Sequence, residues 1–182
     1  MIMQQFPIRR QKRANCFRAK KYLAIECQEV WKGSYFSRTG WSSYIDRAGA
    51  TPEWIGENFR KSIQSSEYFN TPGVPLPRET VAKVHAECGP LMLAFWGKLA
   101  EAFRFKDWRA ARAKTAMVFA CWDYELTDQI ELRASKGRGG GHSAWLQGED
   151  QGTVFHVSIN ASNEELGNVI IQALNVCKPN YL

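Results

Sequence analysis

The chain lacks a CxxC pair, an HExxH motif and a GxxxxGK phosphate loop. The absence of these spacings argues against a zinc site, a metalloprotease helix and a nucleotide-phosphate cradle. No facial-triad spacing appears either, so neither metal nor cofactor is expected. Long apolar runs are also missing. PLMLAFWG and TAMVFACW are the longest, and both are far short of the roughly 20 residues a spanning helix needs. No membrane segment is therefore expected. The N-terminal MIMQQFPIRRQKR has no apolar core ahead of a small-residue cleavage site, so no secretory signal is read and a cytoplasmic location is expected. Histidine is scarce, with only His85, His142 and His156 available as bases. The five cysteines (Cys16, Cys27, Cys88, Cys121 and Cys177) are odd in number and dispersed. That pattern fits reduced thiols better than a disulfide framework.

What is present points to a folded domain. The 182 residues are 45% hydrophobic and 13% aromatic, enough to bury a core without disulfides. The net charge of +6 is unevenly placed. Residues 1–38 carry nine Lys or Arg against two Glu, and the rest of the chain is close to neutral. The excess lies chiefly in Arg9, Arg10, Lys12, Arg13, Arg18, Lys20 and Lys21, so residues 1–20 read as a basic N-terminal segment. The opposite block runs from Asp123 to Glu131, with four acids and no base. Such blocks shape the choice of partner more than the fold.

Periodicity gives the elements. YLAIECQEV (Tyr22 to Val30) and the short SYFS read as strands. SRTGWSSYIDRAGA reads as a loop leading to a helix capped by Thr51, with Pro52 and Glu53 in its first turn. Arg78 to Phe103 is helical in pattern, and Gly89-Pro90 is expected to break or kink it. TAMVFACWDYEL and DQIELRAS form a hairpin turning at Thr127-Asp128, and TVFHVSIN is a further strand. Ser162 and Glu165 make a capping box that opens a last helix. The order implies a single α+β domain, a largely antiparallel sheet packed with several helices.

Two stretches share one pattern. In EWIGENFRKSIQSS and ELGNVIIQALNVC, a glycine (Gly56 or Gly167) sits in the first turn of an amphipathic helix. A helical glycine costs about 1 kcal/mol relative to alanine. Close approach to another backbone offsets that cost, and the expected neighbour is a strand.

Candidates for chemistry are few. His142, in KGRGGGHSAW, could act as a base with Glu149 or Asp150 in a small hydrolase, but no second element fixes that geometry. His156 lies on the strand face opposite Phe155 and Val157. The basic N-terminal segment could follow phosphates. With no single-stranded-binding signature beside it, nucleic acid is the weaker reading.

The order of several motifs resembles the immunity proteins of bacterial contact-dependent growth inhibition systems. It comprises WSSYID (Trp41 to Asp46) and the EWIG helix, then Lys106 ahead of a basic stretch and the AMVFAC strand (Ala116 to Cys121). DQIELRA follows, then His142 and Trp145 in HSAW, TVFHVSI, and EELG with ALNVC. The likeness covers about residues 35–177. It departs from the family at KGRGGG, where a proline-containing strand end belongs, and in the unusually basic first 30 residues. The resemblance implies a cytoplasmic, non-enzymatic protein with no cofactor. Such a protein would form a heterodimer with the C-terminal domain of one cognate toxin, most simply a nuclease. A nuclease presents a basic face to polyanions, so its inhibitor should present acids. The expected partner-binding residues are Asp123, Glu125, Asp128, Glu131, Glu149 and Asp150. Asp123 and Glu125 are expected to share a strand face, with Glu149 and Asp150 close by and the basic segment pointing elsewhere or gripping an acidic rim.

Overall fold

A computed structural model describes residues 9–70, 74–137, 141–145, 148, 149 and 151–182. In chain order the elements are β1 (Lys12–Arg18), β2 (Tyr22–Trp31), β3 (Gly33–Phe36), β4 (Ser43–Asp46), α1 (Pro52–Ser65) and α2 (Arg78–Ala102). They continue with α3 (Trp108–Ala113), β5 (Ala116–Trp122), β6 (Gln129–Lys136), β7 (Ser143–Ala144), β8 (Val154–Ser158) and α4 (Asn163–Asn175). The architecture is α+β, with one antiparallel sheet ordered β3-β2-β1-β5-β6-β7. β4 also pairs with β2, and β8 with β6. The outer edges of β2 and β6 are thus each divided between two short strands.

Alternation along the central strands sorts side chains onto two faces. Ala14, Cys16, Leu23, Ile25, Val118, Ala120, Ile130 and Leu132 point to one face. There they meet Ile55, Phe59 and Ile63 of α1 and Leu166, Ile170 and Leu174 of α4. On the other face Phe17, Tyr22, Ala24 and Met117 meet Trp96 and Leu99 of α2 and Ala111 of α3.

The described part of the basic segment, from Arg9 onward, is no free arm. Residues 12–18 form β1, hydrogen-bonded between β2 and β5 at the centre of the sheet. Two of its cations serve the helices. Lys12 Nζ donates to the carbonyl of Ser66 at 2.9 Å, just past the C-terminus of α1. Arg18 Nη2 donates to the Leu174 carbonyl at 3.0 Å, and its Nη1 to Asn175 Oδ1 at 2.7 Å, at the C-terminus of α4. Neither helix has a basic residue in its own last turn, so β1 supplies the positive charge that a helix C-terminus favours. Burial, reinforced by Arg47, lowers the Arg18 pKa to about 10.

Other expectations need correction. β4 and α3 fall within segments read as a loop and as a basic stretch. α2 runs unbroken through Gly89 and Pro90. A proline there removes one backbone donor, yet burial of Val84, Cys88, Trp96, Leu99 and Ala100 on either side of it holds the helix together. The β5–β6 turn begins earlier than Thr127. Both Leu126 and Thr127 donate backbone N–H groups to the Asp123 carbonyl, and Trp122 Nε1 reaches the Thr127 carbonyl at 2.8 Å. The α4 cap is as read, with Ser162 Oγ accepting from the Glu165 N–H at 3.1 Å.

Both glycines are buried in close backbone contacts, but the neighbour is a helix rather than a strand. A Cβ on Gly56 would lie 1.8 Å from the carbonyl oxygen of Asn163, and one on Gly167 would lie 1.9 Å from that of Pro52. Each glycine thus faces the first residue of the other helix, so α1 and α4 cross reciprocally at their N-terminal turns. Asn163 Nδ2 donates to Glu53 Oε1 at 3.1 Å across the crossing, and Arg60 Nε donates to Asn163 Oδ1 at 3.1 Å. Arg60 also donates to the carbonyls of Ile159 and Ala161.

Gly167→Ala should therefore lower stability by about 1–3 kcal/mol through overpacking. Gly97→Ala, where an added Cβ meets nothing within 4 Å, should be neutral or stabilising by up to ~1 kcal/mol. Thermal melts of the two variants test the contrast. Equal melting temperatures would remove the crossing from the account.

Candidate partner-binding surface

The second face of the sheet is only half covered. α2 and α3 pack over the row containing Ala24, Phe17 and Met117. Two further rows cross β2, β1, β5, β6 and β8 beyond it. The pairing register sets Gln28, Arg13, Cys121, Glu131 and His156 side by side in one row. Glu26, Asn15, Phe119, Arg133 and Val154 make the other. At a strand spacing of about 4.8 Å these rows run roughly 20 Å across the sheet.

The surface is deep at the β2 end and shallow at the β8 end. Beneath α2 lies a cleft of about 650 Å³, lined by sheet residues including Arg13, Asn15, Glu26 and Phe119, and by His85, Met92 and Arg112. Glu26 is 2% exposed there. Its carboxylate accepts from Trp96 Nε1, and from Gln28 Nε2 at 3.2 Å. Burial raises its pKa, opposed by the Arg112 charge and by the Trp96 and Asn15 hydrogen bonds. At the other end a groove of about 390 Å³ is lined by Arg9, Asp123, Glu131, Arg133 and His156, among others.

Four of the six expected acids gather around this second end. Asp123 and Glu125 lie in the β5–β6 turn rather than on one strand face. The N-terminal segment reaches them: Arg9 stands 3.6 Å from Asp123 and Arg10 3.4 Å from Glu125. That end is therefore of mixed charge, gripped by the basic residues rather than left bare. Asp128 accepts from Ser158 Oγ at 2.7 Å and from Gln129 Nε2 at 3.0 Å, and these hydrogen bonds lower its pKa. Glu131 pairs with Arg133 at 2.7 Å and lies 3.9 Å from His156. Glu149 is remote from them. It pairs with Lys136 at 2.9 Å, at the far end of β6, roughly 25 Å from Asp128 along the strand. Asp150 lies outside the described residues, as do the central residues of the glycine-rich loop.

His142 is a structural group. Its Nε2 lies 2.9 Å from the Thr115 carbonyl and 3.1 Å from Thr115 Oγ1, and its ring packs edge-on to Phe17. Of its two expected acidic partners, Glu149 is bonded to Lys136 and Asp150 lies outside the described residues. His156 is exposed, and Val157 packs in the core, as the alternation required. Among the described residues no cluster of His, Cys, Asp or Glu could hold a metal ion. No described helix is long and apolar enough to cross a membrane.

Sequence reasoning missed the deep end of the surface. Its one visible signal is Glu26 and Gln28, polar residues inside a largely apolar strand. The contributions of Arg13 and Arg112 depend on pairings between distant segments.

The open half of this sheet face carries hydrogen-bonding and charged side chains. The model of the CDI immunity protein family matches residues 12–177, and the chain belongs to that family. The match extends further toward the N-terminus than the motifs legible in the sequence, and takes in β1. Two solved structures share the fold. One belongs to a CdiA-CT/CdiI toxin and immunity complex from Yersinia pseudotuberculosis, at TM-score 0.74 and 14% identity, covering 92% of this chain and 98% of that one. The other is a protein of unknown function, NMB0488, from Neisseria meningitidis, at TM-score 0.70 and 15% identity, covering 96% and 99%. The curated proteins contain no match to this chain.

The His142 environment has a pH consequence. Burial, aided by repulsion from Arg112, lowers its pKa, while the Thr115 carbonyl opposes the shift. The unfolded chain then takes up a proton before the folded one does. The stability due to neutral His142 is complete above the unfolded value near 6.5 and is lost as pH falls toward the folded value. The melting temperature of the wild type should fall more between pH 7.5 and 5.5 than that of His142→Gln. Parallel pH profiles would contradict this.

Proposed function

We propose that this immunity protein works in the cytoplasm as the one-to-one partner of the C-terminal domain of its cognate toxin. We further propose that the toxin is a nuclease, that the inhibitor itself is non-enzymatic, and that the toxin docks on the open half of the sheet. The observation that carries this reading is the pair of polar rows from β2 to β8, which no helix of the described chain covers beyond the α2 cleft. Asp123, Glu125, Asp128 and Glu131 at the hairpin end support contact with a basic nuclease face. Asp123 is the more buried member of its pair with Arg9, and the Glu125–Arg10 and Glu131–Arg133 pairs are part-exposed. Exposed pairs of this kind are worth little, so they are readily exchanged for pairs with a partner. Glu149, and with it the neighbouring Asp150, belongs to a second, more distant contact if it touches the toxin.

The direct test is co-expression with the toxin domain encoded immediately upstream, with growth and co-purification as readouts. The wild type should restore growth and purify as a heterodimer. Asp123→Lys combined with Glu131→Lys should slow association roughly tenfold at low salt, with a smaller effect at high salt. Unchanged association would move the interface off this face.

A further inference from the structure

The open face is electrically two-ended, and its deep end has the opposite bias from the hairpin. Two arginines line the cleft beneath α2. Arg13 comes from β1, donating Nη1 to Ser34 Oγ and Nη2 to Gln11 Oε1, both at 2.7 Å. Arg112 comes from α3 and lies over the rings of Phe17 and Trp96, 5.1 and 5.4 Å from their centroids. In both residues Nε is buried without a hydrogen-bond partner. Arg112 Nη1 meets only the Met92 sulfur, at 3.9 Å. Among the described residues neither guanidinium makes an ion pair. Glu26 is the one acid in the lining. Its carboxylate is already engaged by Trp96 and Gln28; burial raises its pKa, and the Arg112 charge opposes that shift. With two guanidinium groups and one carboxyl group in its lining, the cleft keeps a positive bias and unused donors in a partly desolvated site, an arrangement that an added anion would complete.

We propose that this cleft receives an acidic loop of the toxin, whose carboxylates take the free donors of Arg13 and Arg112. This rests on the immunity reading and specifies the chemistry of its contact. Two features select a loop of the docked partner as the anion's source. The volume, about 650 Å³, accommodates several side chains rather than one small ion, and Tyr35, Phe36 and Phe119 give it apolar walls for the stems of those side chains. Arg13 also stands in the same row as Glu131 and His156, so the cleft continues into the surface on which the toxin is placed. The toxin then carries an acidic loop and a basic patch, set roughly 20 Å apart along the rows. Each end of this inhibitor repels the wrong end of a partner, which fixes orientation as well as identity.

Binding of the upstream-encoded toxin domain to Arg13→Gln, Arg112→Gln and Arg112→Lys tests this, by calorimetry on full-length proteins with melting temperatures as the folding check. Each glutamine variant should weaken binding by about 10- to 100-fold, mainly through faster dissociation, with Arg112→Lys recovering part of the loss. One Asp or Glu of the toxin, changed to Ala, should weaken binding to the wild type and have no further effect on Arg112→Gln. If Arg13→Gln and Arg112→Gln melt like the wild type and bind the toxin undiminished, the proposal falls while the immunity reading stands. If the wild type itself fails to bind that toxin, both fall. Micromolar binding of inorganic phosphate to the wild type alone, lost in Arg112→Gln, would assign the cleft to a free anion instead.

Discussion

The crossing of α1 and α4 is the contact from which the rest of the layout follows. Two helices cannot approach to the point where one backbone carbonyl sits 1.8 or 1.9 Å from the other's Cβ position unless that Cβ is missing. Gly56 and Gly167 permit this, and both helices can then cover the same face of one sheet. At their other ends β1 meets the C-terminus of α1 with Lys12 and that of α4 with Arg18. The N-termini are close together, where like dipole ends would repel. Glu53, Glu164 and Glu165 in the first turns offset that repulsion. One small-residue contact and two cations thus fix both helices against the sheet. These two helices cover one side of the sheet completely, while α2 and α3 cover only part of the other.

This use of β1 explains why a basic stretch at the start of a chain misleads a composition-based reading. KRANCFR carries three cations, and such runs are usually solvated. Here alternation matters more than composition. Ala14 and Cys16 enter the core, Lys12 and Arg18 reach helix ends on the same side, and Arg13 turns to the open face. The local sequence contains the alternation, but its partners, Ser66, Leu174 and Asn180, lie far along the chain. Elements with strong local signals were legible: the Thr51 and Ser162 caps, the 22–30 strand and the hairpin. Those that depend on distant pairing, β1 and β4, were not. Pro90 was read correctly as a helix breaker in isolation and failed only because flanking buried residues outweigh one lost hydrogen bond.

The acidic hairpin was visible as a block of like charge, but its setting was not. Asp123 and Glu125 face Arg9 and Arg10, residues more than a hundred positions away. The deep end left almost no trace in sequence, because a cleft is made by what α2 fails to cover. In the docking proposed above, a rigid sheet supplies the positions and side chains at its surface supply the code. Substitutions along the two rows would then change that code without touching the α1–α4 core, so affinity for a partner and stability of the fold could vary independently.

The cysteines carry a consequence of their own. Four of the five are buried and all five are free thiols. Desolvation raises the pKa of each, with Cys88, beside Glu29, reaching about 12. Alkylating and oxidising reagents attack the thiolate, so the buried thiols are protected in the native fold. Cys121 lines the groove on the open face, whereas Cys16 and Cys27 are buried within β1 and β2 and are reached only when the sheet opens. The chain therefore contains its own clock for unfolding: the rate at which Cys16 and Cys27 become labelled reports how often the central strands come apart.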